Sequence, residues 1–331
     1  MVTVTATGRL HFGFGNLSLA HERLYGGVGV SLAEPQVAVD ASPADEIRCD
    51  DEEFERLARK AVALLDVEGA AVSVNDRFDR HVGLGSGTQF ALATLTAIAE
   101  AHDIDVDPRE LAPDMGRGGR SGVGVATFER GGFVVDSGHP AERFTADRPK
   151  DGTWTVPAVA THHELPDDWR FVLVIPEGSA GHSGPEEDRK MRQVVERADA
   201  GVADEVAGVL TRALLPAAAE GDARRFGAAA ARIGRLNGAW YADEQGGVYR
   251  PPAGRIIEKL RECPVVTGAG QSSWGPTVWG LTTRGRVDDA ETAAEMALGE
   301  LGISGEVRVT APRNEGHTVD TATFEFSDSR R

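Results

Sequence analysis

The chain has 331 residues, enough for two ordinary domains each with its own core. Its formal charge of −17 argues against the basic footprint of a nucleic-acid surface, and no apolar run of the roughly 18 residues needed to span a membrane is present. Cys49 and Cys263 are the only cysteines, far apart and without C-x-x-C spacing, so neither a zinc site nor a disulfide framework is expected. Of the 35 basic residues only Lys60, Lys150, Lys190 and Lys259 are lysines. An acidic, lysine-poor surface stays hydrated where salt screens charge strongly, so a salty, halophilic cytoplasm is the expected setting. The first residues alternate like a strand and lack the basic and apolar regions of a signal peptide, which agrees with a cytoplasmic protein.

Residues 2–7 alternate as a β-strand, and 8–15 carry it into a glycine-containing loop. Arg9 and His11 lie two apart and share one face of that strand, either a solvated edge or a binding face. Residues 26–32 and 36–39 read as two further strands. Phe54, Leu57, Ala58, Ala61, Leu64 and Leu65 mark one side of an amphipathic helix over 51–66, followed by a strand over 70–74.

Next comes the loop HVGLGSGTQFALA, residues 81–93. Gly83, Gly85 and Gly87 alternate with Leu84 and Ser86, so three positions can take positive φ and bring backbone close to a ligand. Residues 89–102 contain no Gly or Pro and are rich in Ala and Leu, which predicts a helix. It is apolar nearly all round, so it is expected to be buried. Its first turn would present unpaired N–H groups and the positive end of the macrodipole beside the loop, an anion site of the kind that takes phosphate. The plainer alternative is a glycine turn capped by Ser86. The spacing G-x-G-x-G matches neither a P-loop nor a dinucleotide fingerprint.

A second glycine cluster, residues 115–124, carries Arg117 and Arg120, whose guanidinium forks suit a carboxylate or phosphate, or else mark a surface loop. A hairpin is predicted after it, with strands at 126–129 and 133–136 around a turn at 130–132. Residues 139–169 are polar and proline-containing and suggest a domain boundary. An apolar strand over 169–175 then leads into a Gly/Ser/Pro loop of the length often found in lids. Three helical segments follow over 186–241, the last at 222–234. Residues 265–281 read as strand, glycine loop and strand, 288–301 as a helix and 305–310 as a strand, an α+β arrangement.

The glycine-rich elements near 8–15, at 81–93 and at 267–280 resemble, in order and spacing, the three motifs of the GHMP kinase superfamily. That resemblance implies an α+β, two-domain GHMP-kinase-like fold. Residues 1–160 would form a mixed α/β domain like ribosomal protein S5, and 161–331 a ferredoxin-like α+β domain. Two departures bear on activity. Phosphorylating members commonly read GLGSSA, with the second serine near the metal, where this chain has Gly87. Several carry an aspartate in a P-S-G-x-D segment that acts on the acceptor hydroxyl. The matching stretch here runs from Arg120 and Ser121 to Gly124, with glycine in place of the carboxylate, so the base for phosphoryl transfer is missing.

The stretches HVGLGSGTQ, GRGGRSGVGVATFERGGFVVDSGH and PEGSAGHSGPEE more closely resemble the β-ribofuranosylaminobenzene 5′-phosphate synthase family. The resemblance implies a decarboxylating pentosyltransferase. It would join phosphoribosyl pyrophosphate to an aromatic acid, 4-aminobenzoate or 4-hydroxybenzoate, with Mg²⁺, on the route to methanopterin-type carriers. In that chemistry the para substituent pushes electrons, so neither a Schiff-base lysine nor a kinase aspartate is required, only charge stabilisation of the leaving group. Gly83, Leu84, Gly85, Ser86, Gly87 and Thr88 would hold pyrophosphate, with Gly268, Gly270 and Ser272 as a facing wall. Arg9, Arg117 and Arg120 would serve the benzoate carboxylate or the 5′-phosphate, and Asp136 and Glu186 the metal. An ATP-dependent small-molecule kinase using another base is the alternative, and a homodimer is expected from the family.

Overall fold

The computed structural model describes residues 1–145, 149–178 and 185–321, without the side chains of 185–187. Two long antiparallel strands, β1 (Val2–Asn16) and β2 (Arg23–Pro43), open the chain. The two strands expected over 26–32 and 36–39 are thus one. The register slips between Thr7 and Arg9 and again between His11 and Gly13. Such bulges turn side chains away from strict alternation, and these two flank the segment that carries Arg9 and His11.

Helix α1 (Glu52–Leu65) begins at Asp51, whose carboxylate accepts the N–H groups of Glu53 and Phe54. Strand β3 (Ala70–Asp76) pairs with β2. Helix α2 (Ser86–Ala101) follows, with every residue from Gln89 to Ala99 buried. Phe90, Leu92, Leu95 and Ile98 are fully enclosed, each worth about 1.5–3 kcal/mol of burial.

After the short α3 (Pro108–Leu111) comes α4 (Val123–Arg130), where a hairpin strand was expected. Only its second half, β4 (Phe133–Asp136), is a strand, and it pairs with β2 and β6 (Val159–His163) rather than with 126–129. Alternation over four residues cannot be distinguished from one helical turn. The paired glycines end a helix here: Gly131 (φ 66°) donates to the Thr127 carbonyl as its C-cap. The two-residue β5 (His139–Pro140) adds to β2.

The second sheet is antiparallel, in the order β10–β7–β9–β8, built from β7 (Trp169–Pro176), β8 (Gly268–Gln271), β9 (Val278–Thr283) and β10 (Gly305–Thr310). Helices α5 (Pro185–Arg197), α6 (Ala200–Val209), α7 (Leu215–Glu220), α8 (Ala223–Gln245), α9 (Ala253–Glu262) and α10 (Val287–Leu301) complete this half. A π-helical turn at Leu210–Leu214 joins α6 to α7, and α8 runs eleven residues beyond the expected end at 234. Apolar faces of α9 and α10 pack with β7, β8 and β9 in a core of their own. An antiparallel sheet with packed helices is the α+β architecture expected, but the helices cover both its faces: Phe171, Leu173 and Trp279 meet α8, and Val172, Val174 and Val278 meet α9 and α10.

The halves are not separated at residue 160. Strand β6 spans that position within the first sheet, and the last strand, β11 (Thr318–Thr321), returns to pair with β1. The main core draws on both halves. At its centre Phe226 of α8 meets Phe12 (5.9 Å), Phe133 (5.2 Å) and Trp169 (4.9 Å) between ring centroids.

Candidate active site

The three glycine-rich elements meet in one hydrogen-bonded knot. The Gly83 carbonyl accepts from Arg9 Nη1 (2.6 Å) and from Ser272 Oγ (2.8 Å). Ser272 Oγ in turn accepts the His11 N–H (3.1 Å), and the Ser273 N–H donates to the His11 carbonyl (3.0 Å). Thr277 seals the far side through Oγ1 to the Val82 carbonyl (2.6 Å). The approach requires glycine: a Cβ at Gly275 would lie 2.3 Å from Gly83 Cα, and Gly83 itself sits at φ 97°.

This knot fixes the start of α2 at the edge of a cleft of about 1090 Å³. The N-cap is Gly85 (φ 81°), and no side chain caps the terminus. The Ser86 cap of the plainer alternative is therefore absent, and the helix dipole faces the cleft. Two guanidinium groups flank it. A Cβ at Gly85 would stand 3.1 Å from Arg9 Nε, and one at Gly87 2.9 Å from Arg117 Nη1. The position at which a kinase carries serine is thus filled by arginine. Gly124, in the place of the kinase aspartate, lies under Thr88, its Cβ position 3.2 Å from Thr88 Cγ2.

Charge around the cleft runs against that of the whole chain. Among the described residues its wall holds Arg9, Arg117, Arg120, Arg56, Lys60, Arg80, Arg143 and Arg192 against the carboxylates Asp151 and Asp188. Asp151 pairs with Lys60 and Asp188 with Arg120, at 2.5 and 3.1 Å. A cationic cleft in a polyanion concentrates anionic ligands. Sequence reasoning missed the α1 contribution, although Arg56 and Lys60 stand four apart and so share a helix face.

The other end of the cleft is aromatic. Phe14, Tyr25, Tyr241 and Trp274 line it with Leu24 and Met191. Phe14 lies 5.4 Å from Tyr25 and Tyr241 4.9 Å from Trp274, centroid to centroid. Tyr25 holds φ 72°, a left-handed conformation that costs a non-glycine residue about 1–3 kcal/mol and clusters at functional sites. Burial and the nearby Asp188 raise its phenol pKa.

Between the two ends lies His11, only 5% exposed. Its Nε2 is 3.2 Å from Ser121 Oγ, and its ring meets the Phe14 ring at 4.9 Å. Burial, then the charges of Arg9 and Arg120, lower its pKa to about 3, so the imidazole is neutral. Gly27 lies beneath this group: a Cβ there would fall 2.1 Å from Ser121 Oγ and 3.0 Å from His11 Nε2.

Gly83, Gly85, Ser86, Gly87 and Thr88 line the cleft, as do Arg9, Arg117 and Arg120. Leu84 does not: it is 1% exposed and joins the core, and only its carbonyl acts locally, accepting the Arg9 N–H (2.9 Å). Gly268 and Gly270 are packing glycines instead of a ligand wall. A Cβ at Gly268 would meet the Gly227 carbonyl of α8 at 2.0 Å, and one at Gly270 the Trp279 indole at 2.9 Å. Ser272 is fully buried as the strut described above, and the wall itself is Gln271 and residues 273–275. Asp136 also faces inward. Its carboxylate accepts from Gly122 N–H (2.7 Å), Gly138 N–H (2.8 Å) and Ser121 Oγ (3.1 Å), which spends it on holding the 121–122 turn, and burial raises its pKa. The Glu186 side chain lies outside the described residues.

Residues 53–132 match the family model for the GHMP kinases N terminal domain, and 214–297 that for GHMP kinases C terminal. Among solved structures, mevalonate kinase of Methanococcus jannaschii superposes with a TM-score of 0.65 at 12% identity, over 95% of this chain and 98% of its own. Homoserine kinase of Cytophaga hutchinsonii gives 0.62 at 14%, over 96% and 97%. These likenesses establish the fold. A curated relative from Methanothermobacter thermautotrophicus, β-ribofuranosylphenol 5′-phosphate synthase, is 30% identical over 95% of this chain and 97% of its own. The protein of that name from Archaeoglobus fulgidus is 31% identical over 97% and 100%. With identity of that order running end to end through both GHMP regions, the chain belongs to the β-ribofuranosylphenol 5′-phosphate synthase family, within the GHMP kinase superfamily.

Proposed function

We propose that the chain is a decarboxylating pentosyltransferase that joins phosphoribosyl pyrophosphate to a para-substituted benzoate, giving a C-riboside 5′-phosphate, carbon dioxide and pyrophosphate. The relatives' names specify a phenol product, which favours 4-hydroxybenzoate over 4-aminobenzoate as the acid. The observation that carries the reading is the pair of glycines at 87 and 124. Where a phosphoryl-transfer site needs a serine and a base, this cleft has Arg117 and the methyl of Thr88.

The anion end suits the diphosphate. Backbone N–H groups at the start of α2, with Arg9 and Arg117 on either side, take up the negative charge that develops as the bond from ribose C1′ to the diphosphate oxygen breaks. Preorganised donors of this kind contribute about 3–4 kcal/mol each to such a step. The cationic wall serves the 5′-phosphate, and the aromatic end the acceptor ring. Arg120, already paired with Asp188, is suited to hold the benzoate carboxylate loosely. A tight clamp there would stabilise the ground state against loss of carbon dioxide.

Mg²⁺ fits this cleft as an ion brought in with the diphosphate. Mg²⁺ is commonly held by one or two carboxylates together with the phosphate oxygens of the substrate. The carboxylates Asp188 and Asp151 and the hydroxyls of Ser86 and Thr88 are among the cleft-wall oxygens that would complete its shell. It would supply charge neutralisation of the leaving group.

The test is incubation with Mg²⁺, phosphoribosyl pyrophosphate and carboxyl-labelled 4-hydroxybenzoate or 4-aminobenzoate. Labelled carbon dioxide equal to the pyrophosphate formed is expected. No release from either acid, with ADP produced from ATP and a small alcohol, would favour the kinase alternative.

A further inference from the structure

The proposed reaction leaves His11 without a task, and its surroundings restrict what it can do. Ser121 has one hydroxyl proton and gives it to Asp136 (3.1 Å), whose carboxylate also receives the Gly122 and Gly138 N–H groups. Ser121 Oγ accepts the Val123 N–H (3.2 Å) and can only accept from His11 as well. The His11 proton is therefore on Nε2, and Nδ1 is the acceptor that this residue can offer to the cleft it lines.

A lone pair repels a carboxylate and requires a donor. The acceptor acid has one donor, its para substituent. The His11 ring abuts Phe14, which abuts Tyr25, so a benzoate lying against those rings has an edge beside the imidazole. Resting on the synthase reading, we propose that the aromatic acid binds against Phe14, Tyr25 and Trp274 and that its para hydroxyl passes its proton to His11 Nδ1 as the ring attacks.

The step balances. Ring C1 forms a bond to ribose C1′ while the bond from C1′ to the diphosphate oxygen breaks and the diphosphate leaves with that electron pair. The para oxygen becomes a carbonyl of a cyclohexadienone, and its proton moves to Nδ1. The bond from C1 to the carboxylate then breaks, carbon dioxide leaves, and the released pair restores the aromatic ring. His11 returns the proton to the phenolate oxygen. A protonated dienone is a strong acid, so a weak base is sufficient, and an imidazole held neutral by burial and by the charges of Arg9 and Arg120 is ready at every working pH.

The two candidate acids separate this role from a structural one. A hydroxyl must lose its proton to push fully, whereas an amino group pushes through its lone pair without losing one. His11→Phe should lower kcat/KM for 4-hydroxybenzoate by about 10²–10⁴-fold, the range of a general base, and for 4-aminobenzoate by less than about tenfold. Raising the pH toward the phenol pKa, about 10, should restore the variant's rate on hydroxybenzoate, because the substrate then arrives ionised. Ser121→Ala keeps the imidazole and removes the partner that fixes its tautomer. It should lose about tenfold on hydroxybenzoate alone, and it decides the question if His11→Phe does not fold. An equal fall on both acids, with no recovery at high pH, would overturn the proposal and make His11 a ribose or backbone contact. Wild-type enzyme that releases carbon dioxide from neither acid would instead overturn the synthase reading.

Discussion

Gly87→Ser restores the residue a GHMP kinase carries and tests whether the vacancy serves Arg117. The new Cβ would sit 2.9 Å from Arg117 Nη1 and 3.4 Å from its Cζ. Both atoms are at the far end of a flexible side chain, so the guanidinium swings aside and the backbone stays. Gly87 lies in the first turn of α2 and is not among the positive-φ glycines, so serine is tolerated there at under about 1 kcal/mol. A displaced Arg117 forfeits a charge-assisted contact with the diphosphate, worth about 1.5–3 kcal/mol, or roughly ten- to a hundredfold in kcat/KM. Pyrophosphate release against phosphoribosyl pyrophosphate concentration measures the loss, and thermal unfolding measures the fold. Unchanged kcat/KM with intact structure would refute the role given to Arg117.

Ser272→Ala should cost about 1–3 kcal/mol in urea unfolding, because it leaves the buried His11 N–H without an acceptor; a change below about 0.5 kcal/mol would remove Ser272 as the strut of the knot. The pH dependence of stability offers a separate check. His11 has a folded pKa of about 3, below the ordinary 6.5, so its stabilising share is complete above pH 6.5 and is lost as pH falls toward 3. By pH 5 the loss is about 2 kcal/mol. Asp136, whose pKa burial raises, acts in the opposite sense on acidification. Comparing wild type with His11→Gln cancels that contribution, and a stability difference that is flat between pH 7.5 and 5 would contradict a buried neutral imidazole. Finally, the lysine-poor charge of −17 predicts activity that persists in molar KCl and falls at low salt; the reverse order would dismiss salt adaptation.

The glycine loop at 83–87 was legible because two local signals coincide in it. Alternating glycines announce close backbone approach, and an all-apolar run announces a buried helix; α2 is enclosed, and two of the three glycines, Gly83 and Gly85, take positive φ while Gly87 lies in the first turn of the helix. The second glycine motif misled for a physical reason. Gly268 and Gly270 are glycine because Gly227 and Trp279 leave no room, and a sequence does not distinguish a glycine that admits a ligand from one that admits a neighbouring element. The segment 126–136 failed on length, since one turn of helix and four residues of strand carry the same pattern. His11 was paired with Arg9 on one face, yet its significance depends on Ser121, 110 residues away. They meet because β2 pairs with β1 on one side and β4 on the other, and Asp136 at the end of β4 holds the Ser121 turn.

The missing base and the departing carbon dioxide are one chemical fact under the proposed reaction. A kinase aspartate takes a proton from the attacking hydroxyl. Here the attacking atom is a ring carbon that bears a carboxylate and no proton, so a carboxylate at 124 would have nothing to accept. It would also be harmful. Placed against Thr88 in the first turn of α2, a negative charge would neutralise the positive end of the helix and compete with the diphosphate for Arg117. Replacing it with glycine leaves the anion end to the substrate alone. The one proton that does move belongs to the far side of the ring, where the cleft changes from arginine to aromatic and the neutral imidazole of His11 stands.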